Sequence, residues 1–395
     1  MDLSRRGFLR LAAGSAAALA MPIFSEGRLA AEAAPAVPSN RELDAVYIDA
    51  NENPLGPCAN ARKGVMAMAS NGGRYDLKLT TQLEKVFSEM QGLPPEYVRA
   101  FAGSSGALQD SVLTFTSPQK SYVTADPSYE AGMRAALVSR ARIVKVPLTS
   151  TYAHDIPAML RAAPDAGLFY VCNPNNPTGT LTPHDQIELL VANKPAGSMV
   201  MVDEAYFHFT DMPTSLDLVK AGKQVIVLRT FSKIYGMAGL RCGFAVAHPD
   251  VLARLYGVQG WNPLPITGVA AAIASLRDSA LVGERRTINS SVRSKVFAWL
   301  QQQKYPYIPS QTNFFLLDTQ RDGKSVMAAM AALGVYIGRT WPIWPSRVRI
   351  TVGTPEEMDR FQQAYQQVMQ SSEQASLTSP PPGFHARDWR DGFVS

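Results

Sequence analysis

Thr230 Phe231 Ser232 Lys233 Ile234 Tyr235 Gly236 Met237 Ala238 Gly239 Leu240 Arg241 Cys242 Gly243 Phe244 follows the apolar run Val225 Ile226 Val227 Leu228. That run is short, β-branched and bounded by polar residues, which predicts a buried strand. Lys233 therefore stands just past a strand end. Thr230 and Ser232 flank it with hydroxyls and Arg241 follows, so an amine able to form a Schiff base lies beside groups suited to holding a phosphate. Gly236, Gly239 and Gly243 let the backbone approach a ligand closely. Taken alone, Lys233 reads first as a surface lysine in a glycine-rich loop. The residues upstream decide between the two.

The chain has 395 residues, 46% hydrophobic and 18% charged, a globular composition long enough for two or three domains. Its formal charge of +5 is spread along the sequence with no basic run and no interleaved aromatics, which argues against nucleic acid as a partner. Cys58, Cys172 and Cys242 are odd in number and show no CxxC spacing. No metal site is expected.

The first residues read differently. Ser4 Arg5 Arg6 Gly7 Phe8 Leu9 Arg10 precedes an apolar segment from Leu11 to Phe24 and a small-x-small pattern, Ala31 Glu32 Ala33. This resembles a twin-arginine export signal over residues 1–34, cleaved near Ala33 to Ala36. An uncleaved membrane tether is the alternative, although the segment is shorter than the roughly 20 apolar residues a span needs. The resemblance implies the twin-arginine export machinery as a partner, transport of an already folded protein, and a periplasmic destination.

Residues 35–72 read as a linker and an N-terminal segment belonging to the smaller domain. In it a short strand, Val46 Tyr47 Ile48, leads into the polar turn Asp49 Ala50 Asn51 Glu52 Asn53 Pro54. Gly103 Ser104 Ser105 Gly106 opens a helical pattern and offers free backbone N–H groups to an anion, or simply caps the helix. From Ser121 onward, strands and helices alternate, which argues a mostly parallel sheet covered on both faces. Ligands in such sheets bind at the carboxyl ends of the strands. Three predicted strands there run into Asn173 Pro174 Asn175 Asn176 Pro177 Thr178 Gly179, into Asp203 Glu204 Ala205 Tyr206, and into the Lys233 loop. Residues 73–275 form the large domain in this reading, 276–370 a smaller α/β domain, and 371–395 a polar, Pro-rich, disordered tail.

With Asn51 Glu52 Asn53 Pro54, Arg74 Tyr75, Asn176 Pro177 Thr178 Gly179, Asp203 to Tyr206, Thr230 to Arg241, Asn313 Phe314 and Arg349 Ile350 Thr351 in these places, the sequence resembles the aspartate aminotransferase fold type of pyridoxal-phosphate enzymes, most of all the histidinol-phosphate aminotransferase group. The resemblance covers roughly Asp44 to Met369. It implies an α/β architecture of fold type I, with a mostly parallel seven-stranded sheet between helices and a smaller C-terminal domain. It implies pyridoxal 5'-phosphate held by Lys233, with Asp203 against the ring nitrogen and Tyr206 and Asn176 at the phenolic oxygen. Lys233 also shuttles the proton of the reaction. Thr230, Ser232, Arg241, Ser104 and Ser105 hold the phosphate in this reading, joined by Tyr75 from the second subunit of a homodimer. Tyr129 matches the ring that stacks on the cofactor, or is a core tyrosine. Arg349 receives the substrate carboxylate, a task suited to a planar fork, and Asn53 is placed with the substrate. Arg339 and Arg347 recognise a second acidic group or are surface charges.

Several positions depart from that group. Gly Ser Ser Gly Ala Leu lacks the usual acidic residue, Trp261 Asn262 Pro263 Leu264 Pro265 replaces a tyrosine-asparagine step, and Trp341 and Trp344 crowd the approach to Arg349. The resulting reading is a transaminase moving an amino group from a glutamate-like donor to a 2-oxo acid or imidazole-acetol phosphate. The alternatives are an aromatic amino acid aminotransferase, a lyase or epimerase on the same scaffold, and a non-catalytic binding protein.

Overall fold

The computed structural model describes residues 44–260 and 263–374, so the export leader, the Trp261 Asn262 step and most of the expected tail lie outside the described residues. Their strands are β1 (Val46–Ile48), β2 (Val98–Phe101), β3 (Ser121–Asp126), β4 (Ile143–Pro147), β5 (Ala166–Cys172), β6 (Met199–Asp203), β7 (Val225–Thr230), β8 (Gly243–Val246), β9 (Tyr307–Ile308), β10 (Phe314–Asp318), β11 (Val335–Ile337) and β12 (Arg347–Thr351).

A seven-stranded sheet runs in the order β2-β8-β7-β6-β5-β3-β4. The pairs from β7 to β4 are parallel, and β8 lies antiparallel to both β7 and β2. Side chains alternate between the faces of a strand, so a strand covered on both sides must be apolar at every position. Strands β5 to β7 meet this requirement up to their carboxyl ends, where Asp203, Arg229 and Thr230 stand. Phe169, Val171, Val200, Val202, Val225 and Val227 enter one core cluster, while Leu168, Tyr170, Met199, Met201, Ile226 and Leu228 enter the other. Helices Ala59–Ala69, Leu77–Gln91 and Ile266–Leu276 cover the first face; Ser104–Phe115, Ala131–Val138 and Pro249–Gln259 cover the second. Each fully buried aliphatic or aromatic side chain contributes roughly 1.5–3 kcal/mol.

A second core gathers Phe315, Leu317, Val348, Ile350, Phe361 and Tyr365 around the antiparallel sheet β12-β10-β9. Val46 and Ile48 belong to this core, because β1 pairs in parallel with β11. The N-terminal segment is therefore divided. Its strand joins the smaller core, while Ala61 of helix Ala59–Ala69 is buried beneath the large sheet. Two short strands, β2 and β8, were not expected, and Gly243 and Phe244 open β8 where a loop was read. The last helix, Pro355–Gln374, runs past residue 371, where the tail was expected to begin.

Candidate active site

Cys172, Asp203 and Leu228 are neighbours in register at the carboxyl ends of β5, β6 and β7. The segments that follow these strands are thereby delivered to one place. They line a cavity of about 210 Å³ that also receives Ala50 and Glu52 from the N-terminal turn. The sheet's parallel order carries out this assembly.

Asp203 is the last residue of β6 and only 3% exposed. Its Oδ2 accepts a hydrogen bond from Tyr170 Oη at 2.9 Å and its Oδ1 one from the Ala205 amide at 3.1 Å. Burial pushes the carboxyl up to about 6; the Tyr170 and Ala205 hydrogen bonds and the Lys233 charge pull against that rise. Beside it Lys233, also buried, points Nζ 5.4 Å from the centroid of the Tyr206 ring and 3.5 Å from the Ala50 carbonyl. Tyr206 Oη accepts from Asn51 Nδ2 at 3.1 Å. Glu204 stabilises the turn between Asp203 and Tyr206 from below. It is fully buried, paired with Arg229 at 2.7 Å, and accepts from the Ser215 amide and Thr214 hydroxyl.

At the other end of the cavity is a cup for an anion. Helix Ser104–Phe115 begins with no side-chain cap and no acidic residue in its first turn, so its N-terminal amides keep their positive end. Arg241 donates to Ser105 Oγ at 3.2 Å, Ser232 Oγ at 3.4 Å and the carbonyls of Ala238 and Ala102. The Thr230 hydroxyl donates to Ser232 Oγ at 3.0 Å. Gly103 has φ +83°, and a Cβ there would fall 2.1 Å from Arg241 Nη2, so glycine is what admits the guanidinium to the helix end. Amides, hydroxyls and a half-buried guanidinium converging in one cup fit a phosphate ester. A buried acid whose charge lacks full compensation fits a protonated ring nitrogen. A buried amine between these two ends fits an aldehyde carbon. These observations together match pyridoxal phosphate.

The structure brings Ser104, Ser105, Tyr129, Asn176, Asp203, Tyr206, Thr230, Ser232, Lys233 and Arg241 to this single cavity. Arg349, fully buried on β12, stands just behind it, with Nη1 donating to Asn176 Oδ1 at 3.0 Å and Nη2 to the Asp49 carbonyl at 2.7 Å. Arg339 is held by its own chain. It is ion-paired with Glu130 and lies over the Trp341 ring at 4.5 Å, so its charge is already met within the chain. Arg347 sits 3.6 Å from Asp318 and over Trp344. Asn53 is not among the cavity residues. Its Nδ2 donates to the Ile234 carbonyl at 3.0 Å, bracing the lysine loop. Tyr75 is 71% exposed and away from the cavity of its own chain.

Three residues escaped the sequence reading. Asn51 lay inside a quoted motif but received no role, and its φ of +53° is a local sign of a constrained turn. Tyr170 was hidden in an apolar strand. Glu130 carried no motif of its own.

Comparison with known proteins agrees with this geometry. The family model for aminotransferase class I and II matches residues 48–364. A histidinol-phosphate aminotransferase of Moorella thermoacetica is 33% identical over 339 residues, covering 83% of this chain and 87% of the relative. An aromatic amino acid aminotransferase of Rhodococcus jostii is 35% identical over 327 residues, covering 82% and 90%. The crystal structure of histidinol-phosphate aminotransferase from Sinorhizobium meliloti in complex with pyridoxal-5'-phosphate superposes with a TM-score of 0.76 at 25% identity, covering 83% of this chain and 91% of that one. The chain belongs to the class I and II aminotransferases and is a pyridoxal-phosphate-dependent transaminase of fold type I.

Proposed function

We propose that this transaminase takes the amino group of a glutamate-like donor and passes it to a 2-oxo acid or imidazole-acetol phosphate, with Lys233 as the residue that carries the coenzyme and moves the proton. The observation that supports this most is the buried Lys233 amine lying between the Asp203 carboxylate and the Arg241 cup. When bound, pyridoxal phosphate supplies an aldehyde carbon that takes up amines and an electron-poor ring that draws charge from the substrate α-carbon. Asp203 would hold the proton on the ring nitrogen. Tyr206 Oη and Asn176 Nδ2 would donate to the phenolic oxygen, and Tyr129 would cover the ring. Ser104 and Ser105 amides, the Thr230 and Ser232 hydroxyls and Arg241 would hold the phosphate. Arg349 would orient the substrate by its carboxylate, and Lys233 Nζ, once freed by the incoming amine, would take the proton from the α-carbon. Borohydride treatment of the holoenzyme followed by peptide mapping tests this: the coenzyme should be fixed on Lys233, and fixation elsewhere overturns the assignment.

A second reading concerns the acceptor. Because Glu130 already pairs with Arg339, an acceptor with a distal anion must displace a charge-assisted bond, whereas an aromatic oxo acid leaves it intact. This favours an aromatic acceptor, as in the Rhodococcus relative. A panel of oxo acids that includes phenylpyruvate and imidazole-acetol phosphate, run with glutamate, decides by the ratio of kcat/KM values. Release of carbon dioxide, or racemisation without amino transfer, would point to lyase or epimerase chemistry.

The enzyme we propose is a homodimer in which Tyr75 reaches the partner's phosphate, and Tyr75→Phe should weaken coenzyme affinity. It is also exported, folded, to the periplasm through the leader at residues 1–34. Support for this comes from the Arg5 Arg6 pattern and the apolar run after it. Arg5→Lys with Arg6→Lys should leave the protein in the cytoplasm on fractionation, and unchanged export would refute it.

A further inference from the structure

Behind Asp203 the layer between sheet and helices carries hydroxyls that packing alone does not require. Tyr170 is fully buried on β5, and its Oη donates to Asp203 Oδ2 at 2.9 Å. Tyr122 on β3, also fully buried, stacks on it with ring centroids 6.2 Å apart. The Tyr122 hydroxyl makes no well-aligned hydrogen bond among the described residues, with Thr124 as its polar neighbour, and fits only because residue 132 is glycine, where a Cβ would meet it at 2.1 Å. Phenylalanine at either position would fill nearly the same volume without the cost of burying a hydroxyl. At 170 that cost is offset by the bond to Asp203.

We propose that Tyr170 is a positioning residue for the coenzyme, its hydroxyl fixing the rotation of the Asp203 carboxylate and favouring its charged form opposite the ring nitrogen. The inference rests on the assignment of Asp203 to that nitrogen. A hydrogen bond donated to the ionised carboxylate stabilises the charge, and in a buried site little else is available to do so. The groups facing Asp203 make the balance clear. Tyr170, the Ala205 amide and the Lys233 ammonium favour the charged form, while burial and the neighbouring Glu204 oppose it. Cys172 and Tyr122 complete the surrounding layer, and Tyr122 is held well above its ordinary range by burial. Tyr170 is held up likewise, by burial first and then by the Asp203 charge, so it acts as a donor only.

The test is Tyr170→Phe, read by titrating apoenzyme with pyridoxal phosphate across pH. Loss of a hydrogen bond to a buried charge should raise the coenzyme Kd about tenfold and move the acid limb of binding upward by about one pH unit. Tyr122→Phe, which removes a hydroxyl that makes no hydrogen bond to Asp203, should leave both quantities in place. In an Asp203→Asn background Tyr170→Phe should have no further effect on Kd. An unmoved acid limb overturns the proposal. So does the same shift in Tyr122→Phe, or the same loss of affinity with and without the acid. If Asp203→Asn alone leaves coenzyme affinity and its visible band unchanged, the assignment of Asp203 fails, and this inference fails with it.

Discussion

Arg241 and Arg349 are both withdrawn from solvent at the same site, yet they reach it by different routes. Arg241 sits in a left-handed turn at φ +51°, and two of its partners, Ser232 and Ala238, lie within nine residues of it. Arg349 is carried on a strand of the smaller core; its partners are Asp49, 300 residues away, and Asn176, 173 residues away. One end of the cavity joins the continuous lysine loop to a single distant helix start, through Ala102 and Ser105. The other is assembled from three distant segments. Short-range geometry is set by turn chemistry, while long-range geometry depends on every core packing correctly.

Substitutions can break or sharpen that contrast. The largest effect belongs to Lys233→Ala, which should lower kcat by more than about 10⁴-fold while both arginine ends still bind their anions, measurable by single-turnover kinetics and inhibitor titration. Next come the arginines themselves. Arg349→Lys should raise KM for the donor roughly 100-fold and leave coenzyme affinity near wild type, whereas Arg241→Lys should do the reverse. Equal damage to both constants in either variant would mean the two ends are not separable.

The coenzyme-free protein offers a smaller effect with a definite sign. Asp203 is raised from 3.8 to about 6 on folding, so its contribution is fully present below pH 4 and is lost as pH rises through 6, at a cost of about 3 kcal/mol. His154 and His208 behave oppositely. Burial lowers them to about 4 and about 3, so their contribution is present above pH 6.5 and is lost as pH falls toward those values. Urea midpoints of apoenzyme and apo Asp203→Asn measured between pH 4 and 7 should diverge as pH rises, and parallel curves would contradict the buried charge. The smallest effect is that of Asn53→Ala. Removing its bond to the Ile234 carbonyl should cost about 1 kcal/mol in thermal stability with little change in KM, as befits a brace on the lysine loop.

The locally folded end was the more legible in sequence. A hydroxyl-rich loop after a β-branched run, and a Gly-Ser turn opening a helix, are signals contained in single windows. The assembled end gave up residue types but not partners: Arg349 was chosen, while the Glu130 that meets Arg339 was not, because no window contains both. Tyr170 was invisible for another reason. Hydropathy counts it as one more apolar residue in β5, and the hydroxyl matters only once β6 puts Asp203 beside it. Strands β2 and β8 were missed because four residues are too few to show a period. Asn53, placed with the substrate by resemblance, turns its amide toward the backbone of Ile234, a contact 181 residues away that no single window shows.

The parallel pairing of β1 with β11 sets an order of events during synthesis. Residues 49–52, which bring the Asp49 carbonyl, Ala50, the Asn51 amide and Glu52 to the site, cannot settle until residues 335–351 have left the ribosome. The arginine side of the site is therefore the last part of it that the growing chain can complete.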